Sequence, residues 1–123
     1  MTSTITHRGL RSYAAGLAAE DQVAAHYVSI GGQELARRWR GSRGEIDLIF
    51  RLGGQIVFIE VKASRTLERA ANALSRAQLL RIHASAEEYC GSLKSGSLTD
   101  MRIDVALVSA GGKIEVLENV FLD

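Results

Sequence analysis

Residues 44–62 of the chain read GEIDLIFRLGGQIVFIEVK, and this stretch decides the fold. It contains two runs, 45–50 and 55–62, in which apolar and β-branched side chains predominate, as is typical of β-strands. Two adjacent glycines, Gly53 and Gly54, separate the runs and form a turn signal of the kind that closes β-hairpins. We therefore predict two neighbouring strands joined by a hairpin.

Four charged side chains lie on these strands, namely Glu45, Asp47, Glu60 and Lys62. Side chains alternate between the faces of a strand, so Glu45 shares a face with Asp47, and Glu60 shares a face with Lys62. Hairpin pairing would bring three carboxylates and one ammonium group together. Oxygen ligands of this kind suit Mg²⁺ or Mn²⁺, and a neighbouring lysine can position or deprotonate a water. The pattern predicts a site for metal-assisted hydrolysis of a phosphodiester.

The predicted roles in this site follow from charge. Asp47 and Glu60 would hold the metal, with the Val61 carbonyl as a further ligand, and Glu45 would complete the shell or lie behind it. Lys62 would lower the pKa of the attacking water or stabilise the transition state. Magnesium or manganese is favoured over zinc because the ligands are oxygens and the three histidines, expected at the surface, lack ligand spacing. The alternative is a set of exposed cross-strand ion pairs worth under about 1 kcal/mol.

Two more polar side chains fall where apolar ones are expected. Glu20 lies in the apolar stripe of the first predicted helix, and a buried carboxylate needs a cationic partner. A metal ion, for which Glu20 would be an additional ligand, Lys62 and an arginine are the candidate partners. Gln78 lies on the inner face of the second predicted helix, where it either hydrogen-bonds a backbone group or orients a water or phosphate at the site.

Four arginines, Arg37, Arg38, Arg40 and Arg43, surround Trp39 directly before the acidic motif. Clustered arginines can bind the phosphates of a nucleic acid, and an aromatic ring among them can stack on a base. The alternative is a solvated turn in which the tryptophan covers the core, and this alternative is the one we expect for Trp39. The net charge of +1 does not by itself indicate a polyanionic partner, so the local cluster carries this prediction.

The length of 123 residues fits one domain, which we place at 11–123 behind a mobile N-terminal arm at 1–10. The predicted order is α-β-β-β-α-β-β, an α/β sheet with helices packed on it. The predicted helices are 11–30 and 67–90, and the predicted strands are 33–39, 44–51, 55–63, 101–108 and 113–117.

Three further features bear on stability and location. Asp104 lies in an otherwise apolar strand, and we expect a structural acid paired with an arginine. Cys90 is the single cysteine, which excludes an internal disulfide and fits a reducing cytosol. No apolar run approaches the roughly 18 residues of a membrane span. We therefore expect a cytoplasmic protein without a membrane partner.

The motifs at 44–49, 58–62 and 102–105 resemble those of the UPF0102 family, the YraN-like proteins of bacteria. That family belongs with the PD-(D/E)xK nuclease superfamily and is similar to archaeal Holliday-junction resolvases. The resemblance extends over 16–120 and implies a restriction-endonuclease-like three-layer fold with a mixed five-stranded sheet and flanking helices. It also implies a Mg²⁺-dependent DNA endonuclease, acting on branched DNA in repair or recombination, and a homodimer.

The resemblance also assigns individual residues. Asp47, Glu60 and Lys62 match the catalytic triad of the superfamily, Glu20 its helix glutamate and Gln78 its downstream helix position. The lysine that precedes this glutamine in the family is Ala77 here, so one cation near the phosphates is missing. The alternative function is a non-catalytic nucleic-acid-binding or scaffold protein on the same fold.

Overall fold

The computed structural model describes the backbone of residues 7–120 and the side chains of residues 16–120. Its elements are α1 (His7–Ser29), β1 (Gln33–Gly41), β2 (Gly44–Leu52), β3 (Gln55–Ser64), α2 (Leu67–Asn72), α3 (Arg76–Gly91), a short 3-10 helix (Gly96–Leu98), β4 (Met101–Ser109) and β5 (Ile114–Leu117). The strands form one sheet in the order β1-β2-β3-β4-β5. Only β3 and β4 run parallel, and the other neighbours in this sheet are antiparallel. The predicted mixed five-stranded α/β sheet is confirmed.

Helices cover both faces of the sheet, which gives three layers. On one face, side chains such as Phe50 and Ile59 pack against Val23 and Tyr27 of α1. On the opposite face, the sheet packs against α3 around Ile82 and against α2 around Ala70. The parallel pair β3–β4 requires a crossover connection, which α2 and α3 supply. Both strands are apolar on both faces, as expected for strands buried between two layers.

The second predicted helix, 67–90, is wrong as a single element. The chain leaves the helical path at 73–75 and then starts α3 with a capping box. The Ser75 hydroxyl accepts a hydrogen bond from the backbone N–H of Gln78 (3.1 Å), and the Gln78 side-chain oxygen accepts one from the backbone N–H of Ser75 (3.2 Å). A serine followed three residues later by glutamine is the sequence signal for such a helix start.

The N-terminal helix starts earlier than predicted. It begins at His7, so residues 7–10 of the predicted arm are helical, and residues 1–6 lie outside the described residues. The predicted glycine stop is confirmed, because α1 ends at Ser29 and Gly31 follows with a φ of +97°. Within residues 7–120, no helix is long and apolar enough to cross a membrane.

A fully buried carboxylate, Asp104, joins α1 and the C-terminal segment to β4. It accepts hydrogen bonds from the Tyr27 hydroxyl (2.6 Å), from Nε and Nη2 of Arg102 (both 3.1 Å) and from the backbone N–H of Asn119 (3.0 Å). Burial, followed by the bond to Asp104, raises the pKa of Tyr27 well above its ordinary value, which keeps the phenol a donor. The predicted structural acid with an arginine partner is confirmed, and that partner is Arg102.

Replacing Asp104 with alanine should lower the free energy of unfolding by about 3–5 kcal/mol, because it leaves the largely buried Arg102 charge with only the exposed Glu118, 4.0 Å away. Replacing Tyr27 with phenylalanine removes one donor and should cost about 1–3 kcal/mol. Urea unfolding measures both changes. A loss below about 1 kcal/mol for Asp104→Ala would contradict a stabilising network at this position.

Candidate functional site

The strands β2 and β3 pair only over the part of the hairpin near its turn. Their register runs from Leu52 opposite Gln55 to Leu48 opposite Ile59. Beyond that point the two strands are joined by a side chain: Asp47 Oδ2 accepts a hydrogen bond from the backbone N–H of Val61 at 2.8 Å. This bond anchors the Asp47 carboxylate beside the residues that follow Ile59 on β3.

Glu60 lies between Asp47 and Lys62 and is 9% exposed. Its Oε2 is 3.6 Å from Nζ of Lys62, and its carboxylate lies near that of Asp47. Burial, then the charge of Asp47 and the hydrogen bond to it, raise the pKa of Glu60 to about 8, although Lys62 acts in the opposite direction. Without a cation, the Asp47–Glu60 pair therefore favours keeping one proton.

A cavity of about 720 Å³ opens beside this group. Asp47, Val61 and Lys62 line it from the sheet, and Glu20 lines it from α1, whereas Glu60 does not reach its wall. The structure thus brings together the predicted positions Asp47, Glu60, Val61 and Lys62, with Glu20 on the opposite side of the same cavity.

The partner of Glu20 is an arginine, one of the three candidates that the sequence leaves open. Nε of Arg38 donates to Oε1 of Glu20 at 3.0 Å, and the Glu20 side chain is 13% exposed. Arg38 lies in the left-handed region with a φ of +53°, which costs about 1–3 kcal/mol for a residue with a side chain. The strand β1 is therefore distorted where it reaches α1, and the ion pair lies at this distortion.

The four predicted phosphate-binding arginines do not form one free patch. Three of them have acidic partners, in the pairs Arg37–Asp21, Arg37–Glu34, Arg38–Glu20 and Arg40–Glu45. Arg43 lies after β1 in a separate cavity of about 790 Å³ lined also by His83. The expected role of Trp39 agrees with its packing against the core, where its ring meets that of Tyr89 edge to face at 5.3 Å. Phosphate binding by these arginines stays a prediction.

Glu45 and Gln78, like Glu60, do not line the cavity. Glu45 pairs with Arg40 on the neighbouring strand (3.2 Å) and is 37% exposed, so the predicted convergence of three carboxylates from the hairpin is wrong. Strict alternation fails further along β2, because Ile46 packs toward α3 whereas Leu48 packs toward α1. Gln78 hydrogen-bonds the backbone in the capping box of α3, which is the first of its two predicted roles.

Of the histidines expected at the surface, the side chain of His7 lies outside the described residues and His26 is half-buried. His83 is half-buried, and its Nε2 is buried without a hydrogen-bond partner among the described residues. The Asp47 cavity also has a polar end that was not predicted from the sequence, formed by Ser64, Arg65, Ser109 and Gln22. Arg65 could have indicated this polar end from the sequence, because it is a second cation three residues after Lys62 at the end of a predicted strand.

The fit of a divalent ion can be judged from the donors present. In residues 16–120 no group of three His, Cys, Asp or Glu side chains is arranged to hold a metal ion. Asp47 and Glu60 provide two carboxylates, and Mg²⁺ commonly uses one or two carboxylates together with waters and substrate phosphates. The residues therefore fit Mg²⁺ or Mn²⁺ with an incomplete protein shell. They do not fit a closed structural site.

Comparison with known sequences identifies the family. A sequence model described as "Uncharacterised protein family UPF0102" matches residues 19–108, a range that contains Glu20, Asp47, Glu60 and Lys62. The chain belongs to the UPF0102 family. Similar members include UPF0102 proteins of Ruegeria pomeroyi (48% identical over 117 residues, covering 95% of each chain) and Roseobacter denitrificans (49% over 118 residues, 96% of this chain and 92% of the relative). The resemblance seen in the motifs is confirmed at the level of the UPF0102 family.

The raised pKa of Glu60 predicts a pH dependence of stability for the metal-free protein. The folded state keeps the proton up to about pH 8, whereas the unfolded carboxyl loses it near the ordinary glutamate pKa of 4.5. The stabilisation is therefore complete below about pH 4.5 and is lost as the pH rises toward 8, by a few kcal/mol at most. Urea unfolding in EDTA at pH 5, 6, 7 and 8 should show this decline in the wild type and a smaller one in Glu60→Gln. Parallel profiles would contradict the assignment.

Proposed function

We propose that the protein is a Mg²⁺- or Mn²⁺-dependent nuclease that hydrolyses phosphodiester bonds in DNA. The observation that carries the proposal is the arrangement at the open end of the β2–β3 hairpin. There Asp47, Glu60 and Lys62 are in contact, and a cavity large enough for part of a substrate adjoins two of them. Their agreement with the catalytic pattern of the PD-(D/E)xK superfamily supports the same reaction.

Each side chain has a role that its surroundings favour. A bound divalent ion would supply Lewis-acid activation of the phosphate and lower the pKa of a water. Asp47, held by the backbone N–H of Val61, presents its carboxylate in a fixed orientation. Glu60 releases its proton when it becomes a ligand, so binding should be coupled to proton release. Lys62, with a side chain 18% exposed, can orient the attacking water or stabilise negative charge in the transition state.

The role of Glu20 depends on Arg38. In the structure this glutamate is neutralised by the arginine rather than free to take a metal. We propose that Glu20 is not a direct metal ligand while it is paired with Arg38. It becomes one only if substrate phosphate draws the Arg38 guanidinium away. Branched DNA in repair or recombination, a homodimer and a cytoplasmic location remain predictions that follow from the resemblance and the composition.

A non-catalytic DNA-binding or scaffold role is the second candidate. The observation that favours it is the neutralisation of Arg37, Arg38 and Arg40 by acidic side chains, together with a net charge of only +1. A stand-alone DNA enzyme often has a larger basic surface. This candidate predicts salt-dependent DNA binding without metal-dependent cleavage.

The test is cleavage of labelled duplex, flap and four-way-junction DNA in Mg²⁺, Mn²⁺ or EDTA. The wild type should cut at least one substrate only with a divalent ion. Asp47→Asn and Lys62→Met should lower the rate by about 10²-fold or more, because each removes a group that binds the metal or stabilises charge in the transition state.

Asp100→Asn is the matched control, since it makes the same chemical change at an exposed residue that neither lines the cavity nor pairs with an arginine. It should cut at the wild-type rate. Cleavage by Asp47→Asn at the wild-type rate would refute the proposed site. DNA binding by the wild type without cutting of any substrate would favour the non-catalytic candidate.

A further inference from the structure

The cavity beside Asp47 is larger than the predicted metal site needs. Its volume of about 720 Å³ lies within the range of roughly 300–1,000 Å³ typical of pockets for whole small-molecule ligands. It extends from the acidic groups along the end of β3 to the turn between β4 and β5, with part of α1 as the other wall. A ligand that fills this cavity would therefore extend beyond the chemical group that contacts Asp47 and Lys62.

The far end of the cavity contains a cation, Arg65, that is exposed and follows β3 directly. Its carbonyl accepts a hydrogen bond from the backbone N–H of Ala110 at 3.3 Å, which fastens the arginine's backbone to the turn after β4. Within residues 16–120, no acidic side chain lies within 4.0 Å of the Arg65 guanidinium, in contrast to Arg37, Arg38 and Arg102. Its charge is therefore available to an anionic ligand.

Hydroxyl groups flank this arginine. Ser64 and Ser109 are register partners on the parallel strands β3 and β4, and both line the cavity. The Ser109 oxygen accepts a hydrogen bond from the backbone N–H of Lys113 at 3.1 Å, which leaves its own O–H available as a donor. The far end thus offers a guanidinium and two hydroxyls, while the near end offers the carboxylate of Asp47 and the ammonium of Lys62.

The spacing of the two cations suits a polymer of phosphates. Three peptide units separate Lys62 from Arg65, so their Cα atoms are at most about 11 Å apart. The long, flexible side chains of both residues can reduce this distance to the separation of neighbouring phosphates on one strand. Arginine is also the side chain best suited to bidentate contact with a phosphate.

We infer that Arg65, together with the hydroxyls of Ser64 and Ser109, binds the phosphate next to the one presented to Lys62. The cavity then takes a nucleic-acid strand over at least two consecutive phosphates. This inference rests on the proposed function for the nature of the ligand, but it does not require that the strand be cut. Arg65 is in this account a positioning residue for the strand.

The test is fluorescence anisotropy with a fluorescein-labelled DNA oligonucleotide, as a single strand and as a duplex, in EDTA so that no strand is cut. Arg65→Ala should weaken binding about tenfold. It should also reduce the slope of log affinity against log salt by about 0.7 for the single strand and about 0.9 for the duplex, the change expected for one lost phosphate contact. Arg65→Lys should keep the wild-type slope, because the slope reports charge.

Arg69→Ala is the matched control, because Arg69 is an exposed arginine four residues further along that does not line the cavity. It should bind with wild-type affinity and slope. Wild-type behaviour of Arg65→Ala, an equal loss in Arg69→Ala, or no binding of either probe by the wild type would overturn the inference.

The two proposals can fail separately. An Arg65-dependent affinity without metal-dependent cleavage would refute the nuclease and keep the two-phosphate site. Cleavage that Arg65→Ala leaves unchanged, with unchanged binding, would keep the nuclease and refute the two-phosphate site.

Discussion

The hydrogen bond from the backbone N–H of Val61 to Asp47 is the constraint on which the site depends. It lies just past the last backbone pair between β2 and β3, so it holds the carboxylate in place where the ladder has ended. Two carboxylates repel each other when both are charged, and one of them then keeps a proton. The anchored Asp47 therefore helps to raise the pKa of Glu60, and the same contact makes the pair ready to exchange that proton for a divalent ion.

The rest of the fold supports this arrangement through buried polar groups on the α1 side of the sheet. The Tyr27–Asp104 bond joins the C-terminal half of α1 to β4, and the Glu20–Arg38 pair joins the same helix to β1. The apolar side chains between these two contacts fill the space against β2 and β3. Because α1 is held at both sites, the cavity wall that carries Glu20 has a defined position relative to Asp47 and Lys62.

Local patterns in the sequence predict much of this structure. The strands, the glycine turn and the buried acid Asp104 follow from alternation and composition, and the contact of Asp47 with Glu60 follows from the hairpin. The break before α3 could also have been predicted from the sequence, because Ser75 and Gln78 have capping-box spacing. The position of Glu45 could not, since it depends on an ion pair with Arg40 of β1. The partners of the arginines and the setting of Arg65 depend on α1 and the β4–β5 turn, which are distant in sequence.

The most direct test of the account is the location of a bound ion. Crystals grown with Mn²⁺ at about pH 8, where Glu60 can lose its proton, should be measured for anomalous scattering. An anomalous peak is expected within coordination distance of a carboxylate oxygen of Asp47 and one of Glu60, and it should be lost in crystals of Asp47→Asn. A peak elsewhere, or none beside these two carboxylates in a well-ordered wild-type crystal, would contradict the central claim that this hairpin forms a divalent-metal site.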